Sequence, residues 1–215
     1  GPWGPGGAGW GNGGNGSGDC PNLGDTVGSL PMQDVSQAEE ADLSYMRQEE
    51  KLARDVYAVL YEKWQLPAFN NISASEQQHM DAIKLILDKY SLADPVTSDA
   101  AGDFQDQALT TLYGQLVEQG MASLVEAIRV GIQIEELDIA DLEEAITRTD
   151  NQDIQTVYQN LLAGSRNHLR AFNTLLTAYD QTYRPQALSQ ERYDQIVMGA
   201  YEMGLYSYDG KDMCQ

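Results

Sequence analysis

Residues 72–90 read ISASEQQHMDAIKLILDKY, and within them Ile72, Glu76, His79, Ile83, Ile86 and Tyr90 recur at steps of three and four. That spacing is one face of a helix packed against other helices, and it sets an acid and an imidazole in an otherwise apolar row. Three residues apart on a helix, Glu76 and His79 stand about 5 to 6 Å from each other at Cβ on the same face. An isolated buried carboxylate costs several kcal/mol, so an inward Glu76 needs a partner, a proton or a cation.

The same pattern recurs on both sides of this stretch. Upstream, Ser36 and Glu39 match a capping box and open helix A, which runs to about Gln65 and stops before Pro67. Its stripe is Leu43, Met46, Glu50, Ala53, Tyr57, Leu60 and Trp64, interrupted by Glu50. A second stripe through Tyr45, Glu49, Leu52, Val56 and Val59 leaves Glu49 either inside or bordering solvent, and Glu50 is the favoured inward acid. Helix B spans Ser73 to Tyr90, with Ser73 and Glu76 forming a second capping-box match. After a loop at 91–104 containing Pro95 and Gly102, a short helix through Leu109, Leu112 and Leu116 ends at Gly120 and crosses between the halves. Helix C, from about Ala122 to Thr147, has the seam Leu124, Ile128, Gly131, Glu135, Asp138, Leu142, Ala145. Helix D follows an Asp150/Asn151 start with Ile154, Val157, Leu161, Ser165, His168, Phe172, Leu175 and Tyr179, and Pro185 closes it. A last helix over about Ser189 to Met198 precedes a tyrosine-rich tail, and no strand pattern is present. The expected fold is all-α: a four-helix bundle over 34–200 with a short crossover helix and a C-terminal helix, between a glycine-rich arm (1–33) and a tail (201–215).

Composition sets the limits. The first 18 residues hold ten glycines and cannot bury enough surface to offset their conformational entropy, so they predict a flexible arm. Thirty-three acidic against 13 basic residues give a net charge of −20, which repels nucleic acid and draws cations. No apolar run approaches the roughly 18 residues of a membrane span. Cys20 and Cys214 lack CxxC spacing, which excludes zinc knuckles and rubredoxin-type iron sites. A bridge between them fits an exported protein, secreted or periplasmic; free thiols in a cytoplasmic chain are the other reading.

Each of the four long helices thus carries a polar group near mid-length on its buried side: Glu50, then Glu76 with His79, then Glu135 with Asp138, then His168 with Ser165. The chain has two histidines and both fall on seams. Imidazole with several carboxylates suits iron or manganese, whereas zinc takes fewer oxygens and calcium sites omit histidine. The alternatives for single residues are capping for Glu76, a helix break at Asp138 to Asp141, a solvated face for Glu135, and satisfied core histidines.

The order Glu50-Lys-Leu-Ala-Arg54, Glu76-Gln-Gln-His79, Glu135, His168 resembles the ferritin-like superfamily, closest to its rubrerythrin branch, over residues 36–180. The stretches Glu49-Glu-Lys-Leu-Ala-Arg-Asp55, Ile134-Glu-Glu-Leu-Asp-Ile139 and Gly164-Ser-Arg-Asn-His-Leu-Arg-Ala-Phe172 also resemble a prokaryotic ferritin-like domain family of unknown function. The resemblance implies two irons per chain: Glu50 and His79 on one, Glu135 and His168 on the other, with Glu76 bridging. Ser165 stands where the family's second bridging glutamate belongs, and Asp138 resembles an additional helix C carboxylate that compensates. With one bridge missing, a single iron or manganese is the other expectation. Tyr57 is the candidate catalytic residue, as a hydrogen-bond partner of a ligand carboxylate, with a core aromatic whose hydroxyl is satisfied as the competing reading. The implied activity is peroxidase- or ferroxidase-type chemistry on peroxide or dioxygen, fed by a separate electron donor because no rubredoxin domain is present, in a chain that pairs as a homodimer. The competing readings are a non-catalytic, secreted metal-binding or mineral-interacting scaffold, and a metal-free bundle whose acids and histidines satisfy each other.

Overall fold

A computed structural model describes residues 20–214, all-helical apart from loops and one isolated bridge between Tyr206 and Asp212. Among the described residues there are seven helices: α1 (Leu23–Ser29), α2 (Gln37–Trp64), α3 (Pro67–Lys89), α4 (Gln107–Gly120), α5 (Leu124–Thr147), α6 (Gln152–Thr177) and α7 (Gln190–Met198). The four long ones pack in a closed ring, α2 on α3, α3 on α6, α6 on α5 and α5 on α2. Helix α4 lies on α2 and α5, α1 on α3 and α6, and α7 on α6. None of the helices is long and apolar enough to cross a membrane.

Local chemistry explains the boundaries. Ser36 caps α2: its Oγ accepts from the Glu39 amide while the Glu39 carboxylate accepts from the Ser36 amide. The far end of α2 stops at Gln65, which takes a left-handed conformation (φ 54°). The connection to α3 is two residues long, and Pro67 opens α3 rather than merely ending α2. Proline suits the first helical turn because its fixed φ is already helical and its missing N–H has no intrahelical partner there. The expected start at Ser73 is therefore six residues late, and Ser73 with Glu76 is no capping box. Ser73 is inside the helix, its hydroxyl donating to the Arg54 carbonyl oxygen (3.0 Å).

Two further sequence expectations need correction. Helix α5 runs unbroken through Asp138 to Asp141, which removes the helix-break reading of Asp138. Helix α6 ends at Thr177, so Tyr179 is not on its seam and is exposed, while Leu176 rather than Leu175 is buried in the last turn. The expected arm falls mainly on residues 1–19, outside the described residues. Within 20–33 the chain forms α1, which the sequence did not announce, with Leu23 and Val27 buried.

The C-terminal segment lies along α6. Asn160 bonds both ways with the Tyr206 backbone, and Glu202 pairs with Arg166 and Arg170. Cys20 and Cys214 are at disulfide distance, with Cα atoms 4.8 Å apart, joining the two ends of the described chain.

Candidate metal centre

Helices α2 and α5 run antiparallel, as the pairs Glu39–Thr149, Asp42–Arg148 and Tyr57–Glu135 show. This sets the mid-points of α2, α3, α5 and α6 at one depth in the ring. There the structure assembles two donor groups, Glu50 with Glu76 and His79, and Glu76 with Glu135 and His168. Within each group one donor atom per residue lies within 4.8 Å of the others, and all five residues are 1–2% exposed. These are buried acidic and histidine side chains that can hold a metal ion. Glu76 belongs to both groups.

Its carboxylate is the geometric centre. Oε2 stands 2.7 Å from His79 Nδ1 and Oε1 stands 2.9 Å from His168 Nδ1, yet neither approach has hydrogen-bond alignment. Donor atoms gathered this closely without one-to-one hydrogen-bond alignment make a mixed carboxylate and imidazole set of the kind that can take a cation. Glu50 Oε1 and His168 Nδ1 also lack an aligned partner, whereas a buried polar group ordinarily has one. The residues present therefore fit a metal. The two imidazole rings stack with centroids 5.5 Å apart.

The surroundings orient these donors. His168 Nε2 is 3.0 Å from Ser75 Oγ, which turns Nδ1 toward Glu76 and Glu135. His79 Nδ1 is 3.1 Å from Glu50 Oε2. The ring of His79 lies against Gly164, where a Cβ would come within 2.5 Å of Nε2, so only glycine leaves the imidazole its place. The Tyr57 hydroxyl donates to Glu135 Oε1 at 2.6 Å and lies among Phe69 and Phe172.

Electrostatics follow from burial against close charge. Burial works to lower both histidine pKa values, but Glu50 and Glu76 hold His79 well above the usual range, and Glu76 with Glu135 raise His168 to about 10. Burial raises Glu50 despite the opposing pull of His79. Glu135 is raised by burial and by the Glu76 charge. For Glu76 burial also acts upward, but His168 and His79 together outweigh it and hold the carboxyl below its usual value.

All six sequence-selected donors are buried, and five of them meet in the two groups. Asp138, the sixth, stands apart from both. The Ser165 hydroxyl donates to Asp138 Oδ2 and the Asp138 Oδ1 atom lacks a partner. Burial and four neighbouring acids push Asp138 well up. Glu49, which the stripes left open, is buried as fully as Glu50. Sequence reasoning missed Ser75, because a small polar residue off the main stripe carries no periodic signal.

Comparison with known proteins finds relatives along most of this chain. Residues 39–200 match the family described as "Uncharacterized protein domain (DUF2202)". A protein of Methanocaldococcus jannaschii described as "Uncharacterized protein MJ0754" is 51% identical over 179 residues, 83% of this chain and 97% of that one. A crystal structure of the hypothetical protein MJ0754 covers 81% of this chain and 99% of its own at 52% identity, with a TM-score of 0.80. The matched span contains α2 from Glu39 onward, all of α3 to α6 and every donor named above, so the chain belongs to the DUF2202 family.

Proposed function

We propose that the ring of long helices is a ferritin-like bundle of the rubrerythrin-like kind, and that its two donor groups hold a pair of iron ions for peroxidase- or ferroxidase-type chemistry. The observation that carries this reading is the Glu76 carboxylate, shared between two imidazole nitrogens at 2.7 and 2.9 Å without hydrogen-bond alignment. Glu50 and His79 would hold one ion, Glu135 and His168 the other, and Glu76 both. A mixed set of carboxylates and imidazoles at a buried position suits iron, with manganese as the nearest alternative. When bound, iron supplies one-electron chemistry toward peroxide or dioxygen.

The chain's own residues contribute position and proton control. Tyr57 fixes the Glu135 carboxylate by donating to Oε1, and its buried hydroxyl has its pKa pushed well above the usual value by burial and by Glu135, so it stays a donor. Ser75 fixes the His168 ring. The apolar neighbours Phe69 and Phe172 exclude water from the Tyr57 side.

Ser165 favours a second reading, a metal-binding protein without turnover, because it occupies the place of a second bridging acid and engages Asp138 instead. Elemental analysis of chain reconstituted anaerobically with ferrous iron, followed by peroxide and dioxygen addition, separates the two. Two irons per chain that oxidise and turn over support the enzyme. Two bound irons that do not turn over support the second reading. No stoichiometric metal, or equal uptake by a His79→Ala/His168→Ala double variant, overturns both.

A further inference from the structure

Glu49 is not used by either donor group, yet it is 2% exposed and both its carboxylate oxygens lack an aligned donor. Its side chain is within hydrogen-bonding reach of the Asp141 carboxyl across the α2–α5 interface. Asp141 is only half-buried and also meets the Tyr45 hydroxyl, so it marks the solvent side of this interface. On α5 the acids Asp141, Asp138 and Glu135 follow at steps of three, each about 4.5 Å further along the axis toward the centre. Asp138 contributes a third buried oxygen without a partner, Oδ1. Carboxylates thus lead from the half-exposed Asp141, which Glu49 meets from α2, through Asp138 to Glu135 among the donors around Glu76.

We propose that Glu49, Asp138 and Asp141 form a loading step for divalent cations, taking a cation from solvent between α2 and α5 and passing it to Glu50, Glu76 and Glu135. The inference rests on the metal-binding reading above. The route has a direction because its affinity rises inward: carboxylates alone hold transition cations more weakly than carboxylates with imidazole, and both histidines stand at the inner end. The chain's net charge of −20 draws cations to the outer end.

The test is the rate of cobalt(II) uptake by metal-free full-length protein, followed by visible absorbance in a stopped-flow instrument, with cobalt per chain measured at saturation. Glu49→Gln keeps the side-chain shape and removes a carboxyl ligand, and Asp141→Asn does the same at the outer end. Glu62→Gln, on an exposed face of α2, controls for general loss of charge. Expected are the same final cobalt content in all four proteins and uptake slowed about tenfold in Glu49→Gln and Asp141→Asn alone, the scale of electrostatic focusing. Unchanged rates in both path variants overturn the loading step. So does a lower final content in Glu49→Gln, which makes Glu49 a resident ligand. Wild-type protein that takes up no cobalt removes the metal centre itself, a failure visible without any variant.

Discussion

Glu135 and Glu136 are consecutive residues on α5, and each is 1% exposed. Their surroundings differ completely. The Glu136 carboxylate accepts the backbone N–H groups of Gln186, Ala187 and Leu188 and the Tyr183 hydroxyl, so it clasps the segment between α6 and α7 with its oxygens fully used. Glu135 faces the ring interior, where it meets Tyr57, His168 and the like-charged Glu76. One buried acid is completed by the protein, and the other belongs to a set of donors that could hold a cation. Burial alone therefore does not mark a functional acid; the marker is burial where several acids and imidazoles converge on one point of the interior.

The largest test of that contrast is Glu76→Ala, which takes a donor from both groups. Elemental analysis should fall from two cations per chain to none, while Glu136→Ala keeps both; retention of two in Glu76→Ala would break the comparison. Next is Gly164→Ala, whose Cβ would displace the His79 ring. Competition titration against a chelator should show cation affinity about 10- to 100-fold weaker, the cost of disturbing a ligand's support.

A smaller effect is expected on the structural side. Glu136→Ala leaves the N–H groups of Gln186, Ala187 and Leu188 without their carboxylate acceptor and should cost about 2 kcal/mol. Calorimetry should find Tm lowered by roughly 4 to 8 °C, with the same increment on adding metal as the wild type shows. An increment that disappears would mean the clasp and the centre are one unit.

The gentlest probe is pH. In metal-free protein Glu50 and Glu135 titrate above their usual 4.5, and His168 at about 10 against its usual 6.5. Groups raised in the folded state contribute stability that is complete below the unfolded pKa and is lost as pH rises through the folded one. The centre's contribution should thus decline from about pH 4.5 toward pH 10, and the melting temperature of the metal-free protein with it. Cation binding displaces those protons, so metal affinity should rise over the same window. A metal-free stability that climbs with pH across it would contradict the charge pattern assigned to the centre.

The helices and the inward direction of the donors were legible in the sequence because both obey a period of 3.6 residues. Glu50, Glu76, His79, Glu135 and His168 all sit on stripes, and the capping box at Ser36 and Glu39 is where the spacing put it. Termini were less legible. Pro67 signals both a stop and a start, and only the packing of Phe69 and Ile72 shows that α3 begins there. Helix α1 is too short to display a period, and it is held by its contacts with α3 and α6.

What the sequence determined by itself is an all-helical chain with acids and both histidines on buried faces, since periodicity is a local property of the chain. Tertiary structure alone decided that Glu76 stands between both imidazoles, that Ser75 and Gly164 set the two rings, and that Glu135 and Glu136 part ways. Those are distances between residues as far apart as 93 positions, Ser75 and His168, and no local pattern encodes them. They follow from how four helices are rotated against one another, which the whole core fixes at once.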